Sequence, residues 1–186
     1  MNFEPGYIEK AVFVDFSQTS EKVINFSHVF EPGEIDLNDA DNRVAGKLEV
    51  SGTAHKTEAG ADVAGKISGK LEIACDRCLK PLESDVVIEF EDDFVTLTDY
   101  EKSTAENHEI AGADLDVSIY DGERIDISEL VREQILLNLP ARQLCDENCT
   151  GLCETCGADK NTENCSCESE TIDPRWNALK QLKNQK

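Results

Sequence analysis

Positive charge is scarce in this chain. Only 18 Lys and Arg stand against 39 Asp and Glu among 186 residues, a formal net charge of −21. That scarcity argues against a broad non-specific grip on nucleic acid, because phosphate binding runs on lysine and arginine. It suits a basic partner, and it also keeps a chain in solution. Long apolar runs are missing too. None approaches the roughly 20 residues that cross a bilayer, so no membrane span is expected. The opening MNFEPGYIEK lacks a basic n-region and an apolar h-region, so neither secretion nor organellar import is expected from it, and the cytoplasm is the expected location. Histidine is rare: His28, His55 and His108 all fall outside the cysteine-bearing segments and read as surface or strand residues. No internal repeat is found beyond the recurrence of Cys-x2-Cys.

What the chain does have, first, is strand-like alternation. In RVAGKLEVSGTA, Val44, Gly46, Leu48, Val50 and Gly52 alternate with Ala45, Lys47, Glu49, Ser51 and Thr53. A period of two means one buried face and one wet face. The same period returns in VAGKISGKLEIAC, where Val63, Gly65, Ile67, Gly69, Leu71, Ile73 and Cys75 share a side. DRCLKPLE supplies a turn and DVVIEFEDDFV a returning strand, with shorter strands expected in EKAVFVDF and EKVINFSHVF. The expected fold class is α+β: an antiparallel β-meander or half-barrel, one packed helix, and a C-terminal cysteine-rich zinc-binding segment. Cys75 and Cys78 are placed at a hairpin tip.

Between Glu83 and Glu129 there are sixteen acidic residues and only two basic ones, Lys102 and Arg124. TLTDYEKSTAENHEIAGAD within it has weak periodicity and reads as a mobile acidic loop. A helix follows in DISELVREQILLNLP. Asp126 is placed to cap it, Glu129 completes a capping-box pattern, Ile127, Leu130, Val131 and Gln134–Asn138 form its packing stripe, and Pro140 stops it. The expected divisions are 1–96 for the β platform, 97–124 for the acidic loop, and 125–186 for the helix, cysteine segment and a second helix.

Six of the eight cysteines crowd into LCDENCTGLCETCGADKNTENCSC, residues 144–167, and the other two are Cys75 and Cys78. Disulfides fit poorly, since the cytosol keeps thiols reduced and Cys165 and Cys167 stand too close to bridge comfortably. Cys149-x3-Cys153-x2-Cys156 matches the cluster run of radical S-adenosylmethionine enzymes, but the thirty residues after Cys156 do not house the barrel those enzymes build. A dithiol catalyst needs its first cysteine at a helix N-terminus near positive charge, whereas Cys75 ends a strand beside Asp76. Structural zinc accounts for the whole segment: tetrahedral Zn²⁺ takes four thiolates at about 2.3 Å, and a Cys-x2-Cys turn offers two of them. Gly157, after Cys156, permits the left-handed turn beneath a metal.

Eight thiolates make one or two zinc sites. One partition joins Cys75 and Cys78 to Cys145 and Cys149, leaving Cys153, Cys156, Cys165 and Cys167 as a local site. The other groups Cys145, Cys149, Cys153 and Cys156, and joins the hairpin to Cys165 and Cys167. Spacing allows both. Each filled site carries a formal −2, so neither becomes a cationic patch, and neither has the open position of a catalytic zinc.

The last twelve residues, RWNALKQLKNQK, hold the one basic feature: Arg175, Lys180, Lys183 and Lys186 with no acid. A helix is expected there, with Asp173 as cap, Pro174 at its first position, and Trp176, Leu179 and Leu182 on one side. Two readings stand: the helix packs on the domain, or Trp176 stacks on a base while the cations meet phosphates.

Together, CDRCLKP after a strand, an acidic gap, ELVREQILLNLPARQLCDENCTGLCETCGADKNTENCSC and the terminal IDPRWNALKQL resemble the bacterial YceD family of large-subunit ribosomal-RNA accumulation proteins. The resemblance covers about the C-terminal two-thirds of the chain. Some members keep the first Cys-x2-Cys without the distal cysteines, which favours a first site that includes the hairpin pair. The resemblance implies a non-enzymatic role in accumulation of large-subunit ribosomal RNA. The expected partner is a basic ribosomal protein or an assembly intermediate, with neither a membrane nor a small-molecule substrate. The alternatives are direct RNA binding through the C-terminal helix and a thiol oxidoreductase.

Overall fold

The computed structural model describes residues 12–17, 22–58, 60–105 and 117–167. Among these described residues nine elements follow one another: β1 Phe13–Asp15, β2 Val23–Phe30, β3 Asn42–Lys56, β4 Gly60–Ala74, β5 Pro81–Thr96, α1 Leu97–Ala105, β6 Val117–Tyr120, β7 Arg124–Asp126 and α2 Ile127–Leu137. The chain divides into two compact units, and all nine elements lie in the first. The first comprises Met1–Ala74 with Pro81–Gln143, and the second Cys75–Lys80 with Leu144–Lys186. The β4–β5 loop therefore groups with the cysteine segment, while α2 groups with the sheet.

The first unit is built on a five-stranded sheet in the order β2-β3-β4-β5-β6. The alternation expected in β3 and β4 is what buries them: Leu48, Val50, Ala54, Val63, Ile67 and Leu71 are all buried, while Lys47, Glu49, Ser51 and Lys66 face solvent. Between Val44 and Leu48 the register shifts, β3 spending four residues where β4 spends two. An even excess preserves the pleat's phase, so Val44 and Leu48 both stay buried. One register row runs Phe26–Gly52–Gly65–Phe90 across four strands. A Cβ on Gly52 would lie 2.7 Å from Phe26 Cζ, and one on Gly65 2.7 Å from Phe90 Cζ. Each ring thus folds over a glycine and supplies the apolar cover that the glycine lacks.

The meander holds through β5, but β6 pairs with β5 in parallel. A parallel neighbour needs a crossover rather than a tight turn, and the acidic stretch provides it. The expectation of a loop over 97–124 is corrected here, because that stretch contains α1 and β6. Thr96 caps α1, accepting from the Asp99 N–H at 3.2 Å and donating its hydroxyl to the Asp99 carboxylate at 2.7 Å. Residues 106–116 lie outside the described set.

α2 forms as its sequence implies. Asp126 accepts from the backbone N–H of Ser128 and Glu129, and Ile127, Leu130, Val131, Gln134 and Ile135 are buried, but Leu136, Leu137 and Asn138, expected in the same stripe, face solvent at the end of the helix. Glu129 turns forward to Arg132 rather than back to the cap. Gln134, the buried polar residue of the stripe, donates to Asp92 on β5 at 2.9 Å. β1 pairs antiparallel with β7 in a separate two-stranded sheet and adds Val14 to the core. Among the described residues the apolar core consists of first-unit side chains only. No helix among them is long and apolar enough to cross a membrane. The expected C-terminal helix and its Arg175, Trp176, Lys180, Lys183 and Lys186 lie outside the described residues.

Candidate metal centres

All eight cysteines belong to the second unit, and they gather into two groups of four: Cys75, Cys78, Cys145 and Cys149, and Cys153, Cys156, Cys165 and Cys167. Within each group the sulfurs lie within 4.8 Å of one another. This is the partition that joins the hairpin loop to the segment after α2. The rival grouping of Cys145, Cys149, Cys153 and Cys156 is not what the chain assembles.

Local backbone explains each pair. Cys75–Lys80 closes the β4–β5 hairpin through Cys75 N–H to Lys80 O at 2.9 Å and Leu79 N–H to Cys75 O at 2.8 Å. Leu79 takes the left-handed conformation, φ 58°, which turns the chain back under Cys75 and Cys78. The second loop repeats the device, with Gly157 N–H reaching Cys153 O at 2.8 Å and Gly157 at φ 74°. A turn of this kind aims both sulfurs of a Cys-x2-Cys to one side.

The sulfur spacing has chemical content. Cys75 and Cys149 stand 3.9 Å apart, and Cys78 and Cys145 3.5 Å. A disulfide would bring sulfurs to about 2.05 Å. A tetrahedron of thiolates about 2.3 Å from a central ion puts them about 3.8 Å apart. The first group sits at the tetrahedral spacing. Cys75, Cys78, Cys149 and Cys153 are buried, whereas Cys156 and Cys167 are exposed.

Protonation follows the same logic. Burial disfavours the Cys75 thiolate, but backbone N–H groups of Cys78, Arg77 and Cys145 outweigh it and bring Cys75 down to about 6. Cys153 is likewise brought to about 6, first by the backbone N–H of Cys156 and Thr155. Their companions move the other way. Cys145 is pushed up to about 12, foremost by its hydrogen bond with Cys78, and Cys167 to about 12 by its bond with Cys156. Four thiols this close cannot all ionise alone, because each new negative charge meets the last. A divalent cation at the centre removes the conflict, and an all-sulfur donor set selects a soft or borderline ion.

Around the sulfurs the chain adds residues that spacing rules did not flag. Arg77 donates its guanidinium to the Cys149 carbonyl, and its own carbonyl accepts Leu152 N–H at 3.0 Å. Gly151, at φ 75°, allows that approach. Asn161 donates its side-chain amide to Cys149 Sγ at 3.4 Å. These contacts join chain positions far apart in sequence, so the only local hint was the Thr150–Gly151 and Lys160–Asn161 turn composition. His28 packs edge-on against Phe30 and His55 is exposed on β3, so neither joins a sulfur group, and His108 lies outside the described residues.

Comparison with known proteins gives the chain its relatives. A family model described as Large ribosomal RNA subunit accumulation protein YceD matches residues 63–183. The Arabidopsis thaliana protein named Large ribosomal RNA subunit accumulation protein YCED homolog 1, chloroplastic, is 35% identical over 63 residues, covering 34% of this chain and 20% of that protein. Its Zea mays namesake is 41% identical over 51 residues, 27% of this chain and 17% of the relative. An uncharacterised protein of Mycobacterium tuberculosis is 29% identical over 123 residues, 66% of this chain and 56% of the relative. The chain thus spans about a fifth of the plant relatives and about half of the mycobacterial one. No solved structure matches it. The matched span of 63–183 includes both halves of each four-sulfur group, and on that match the chain belongs to the YceD family of large ribosomal RNA subunit accumulation proteins.

Proposed function

We propose that this protein is a non-enzymatic zinc-binding factor that supports large-subunit ribosomal RNA accumulation and ribosome assembly by holding a basic ribosomal protein or an assembly intermediate. The observation that carries the zinc reading is the pair of closed four-sulfur groups. Each offers four thiolates and so leaves no position for a metal-bound water, which suits a structural ion rather than a catalytic one. The first ion would cross-link the β4–β5 loop to the chain at Cys145 and Cys149, in a unit whose described residues contribute nothing to the apolar core. Cys75 is fully buried, which opposes the accessible nucleophile that a dithiol catalyst requires.

The binding role rests on the family match and on charge. On β5, Glu83, Asp85, Glu89, Glu91 and Asp93 are exposed along one face, and β4 answers them with Lys66 and Lys70. That imbalance gives a basic protein a long-range attraction that salt screens. The test is capture of partners from cell lysate by the zinc-loaded chain at low and moderate salt. Recovery of a ribosomal protein or pre-ribosomal particle, weakened by salt and by Glu89→Lys with Glu91→Lys, supports the reading. Recovery of no ribosomal component at either salt discards it. Recovery of naked ribosomal RNA in place of protein would move the role to direct RNA contact.

A further inference from the structure

Asn161 sits in the loop between the two cysteine pairs of the second group, yet its side chain works on the first group. Its Nδ2 donates to Cys149 Sγ at 3.4 Å and to Asp159 Oδ1 at 2.6 Å. Its Oδ1 accepts from Thr150 N–H at 2.8 Å and from the Thr150 hydroxyl at 3.0 Å. The neighbours fix the amide's orientation, since a backbone N–H demands an acceptor and a carboxylate a donor. Asn161 therefore clamps the residue that follows Cys149 and places a donor on the Cys149 sulfur.

The loop that carries it is anchored in the second group. Between Cys156 and Cys165 the chain runs back along residues 149–153, with Cys153 N–H to Ala158 O at 2.8 Å, Lys160 N–H to Gly151 O at 2.9 Å, and a bridge between Leu152 and Asp159. One end of this seam is a ligand of the first group, Cys149, and the other end a ligand of the second, Cys153. An ion held by Cys153, Cys156, Cys165 and Cys167 closes the loop and removes most of its freedom before Asn161 is placed. Donors to a ligating atom orient it and spread its charge, and their loss typically weakens metal binding by about 10- to 100-fold.

We propose that Asn161 couples the two centres, so that zinc in the second group tightens the first group's hold on its own ion. This rests on the zinc reading above. By linkage, the first ion must tighten the second by the same factor.

The experiment uses the full chain loaded with Zn²⁺ and titrated with a chromophoric chelator, ions being counted by native mass spectrometry. Four proteins form a cycle: the unaltered chain, Asn161→Ala, Cys165→Ser with Cys167→Ser, and all three changes together. With both serines present the first group is the only intact four-sulfur set. The expected result is that either alteration alone weakens the first site about 10- to 100-fold, and that adding the serines to Asn161→Ala weakens it no further. Cobalt gives a second readout: Asn161→Ala should shift the sulfur-to-cobalt charge-transfer band to lower energy, because a thiolate without its donor gives up an electron more readily. First-site affinity within twofold of the unaltered chain in Asn161→Ala overturns the inference. So does an equal effect of the serines in both backgrounds, which would route the coupling past Asn161. A chain that takes up no zinc at all sinks the zinc reading itself, a result separate from either.

Discussion

Adding one methyl group at Gly151 should loosen the metal sites by a calculable amount. Gly151 holds φ 75°, and a Cβ there would lie 2.8 Å from the Arg77 carbonyl oxygen and 3.2 Å from Arg77 Cβ. The left-handed conformation costs an L-residue about 1–2 kcal/mol. The methyl must also push back a carbonyl that accepts Leu152 N–H at 3.0 Å, and losing that bond costs about 1 kcal/mol more. The sum is about 2–3 kcal/mol. Because the segment's folding and its metal binding are linked, the penalty falls on affinity, and at about 1.4 kcal/mol per decade it amounts to about 30- to 150-fold. Gly157→Ala is the matched comparison: φ 74° with nothing within 4 Å of the added Cβ. It carries the conformational strain alone, about 5- to 30-fold by the same conversion. Gly33→Ala, in the first unit at φ 88° and also open, should leave zinc affinity unchanged. Equilibrium competition with a zinc chelator reads all three. If Gly151→Ala binds zinc as tightly as Gly157→Ala, the Arg77 contact is not what Gly151 protects, and the packing argument fails.

Glu133 has its carboxyl raised above the ordinary glutamate range, first by burial and then by Glu129, with Asp92 adding to it against Arg132. A raised folded value means the native state favours the proton, so stability is lost as pH rises through that value. Glu133→Gln should therefore raise the melting temperature at pH 7 and make no difference well below about pH 4.3, where the carboxyl is neutral in both states; a lower melting temperature at pH 7 would contradict this. Gly65→Ala should destabilise the sheet by about 1–3 kcal/mol in urea unfolding, because the new Cβ meets Phe90 Cζ at 2.7 Å and Ser51 O at 2.7 Å. Strand propensity alone would make the same change favourable by about 0.5–1 kcal/mol, so the sign decides. In the zinc-loaded chain, where every ligating sulfur is held as a thiolate, a brief pulse of alkylating agent should mark Cys156 and Cys167 before Cys75 and Cys149, following their exposure. Peptide mapping that finds Cys75 labelled first would refute the buried placement.

Features carried by neighbours in sequence were legible in advance. The period of two in β3 and β4, the Asp126 cap and the α2 stripe as far as Ile135 depend on local pattern and are found where the pattern put them, whereas Leu136, Leu137 and Asn138, expected in that stripe, are exposed. The two Cys-x2-Cys turns are local as well. What escaped depends on distance or on weak signal. α1 starts at a Thr96–Asp99 cap but has little apolar face, so composition pointed to a loop. β6 lies parallel to β5, a pairing that no period announces. The division of cysteines followed from which loops meet, and two partitions satisfied the same spacings. Asn161 and Arg77 were invisible for the same reason: the sulfur and carbonyl they serve belong to Cys149, twelve residues away from one and seventy-two from the other.

The central claim is that eight thiolates hold two ions, one in each four-sulfur group. Native mass spectrometry of the reduced, metal-replete chain tests it most directly. Two zinc ions per chain are predicted, falling to one when Cys78→Ser breaks the first group and to one when Cys156→Ser breaks the second. A reduced chain that carries no ion, and keeps the same circular dichroism with a strong chelator present, would contradict the account.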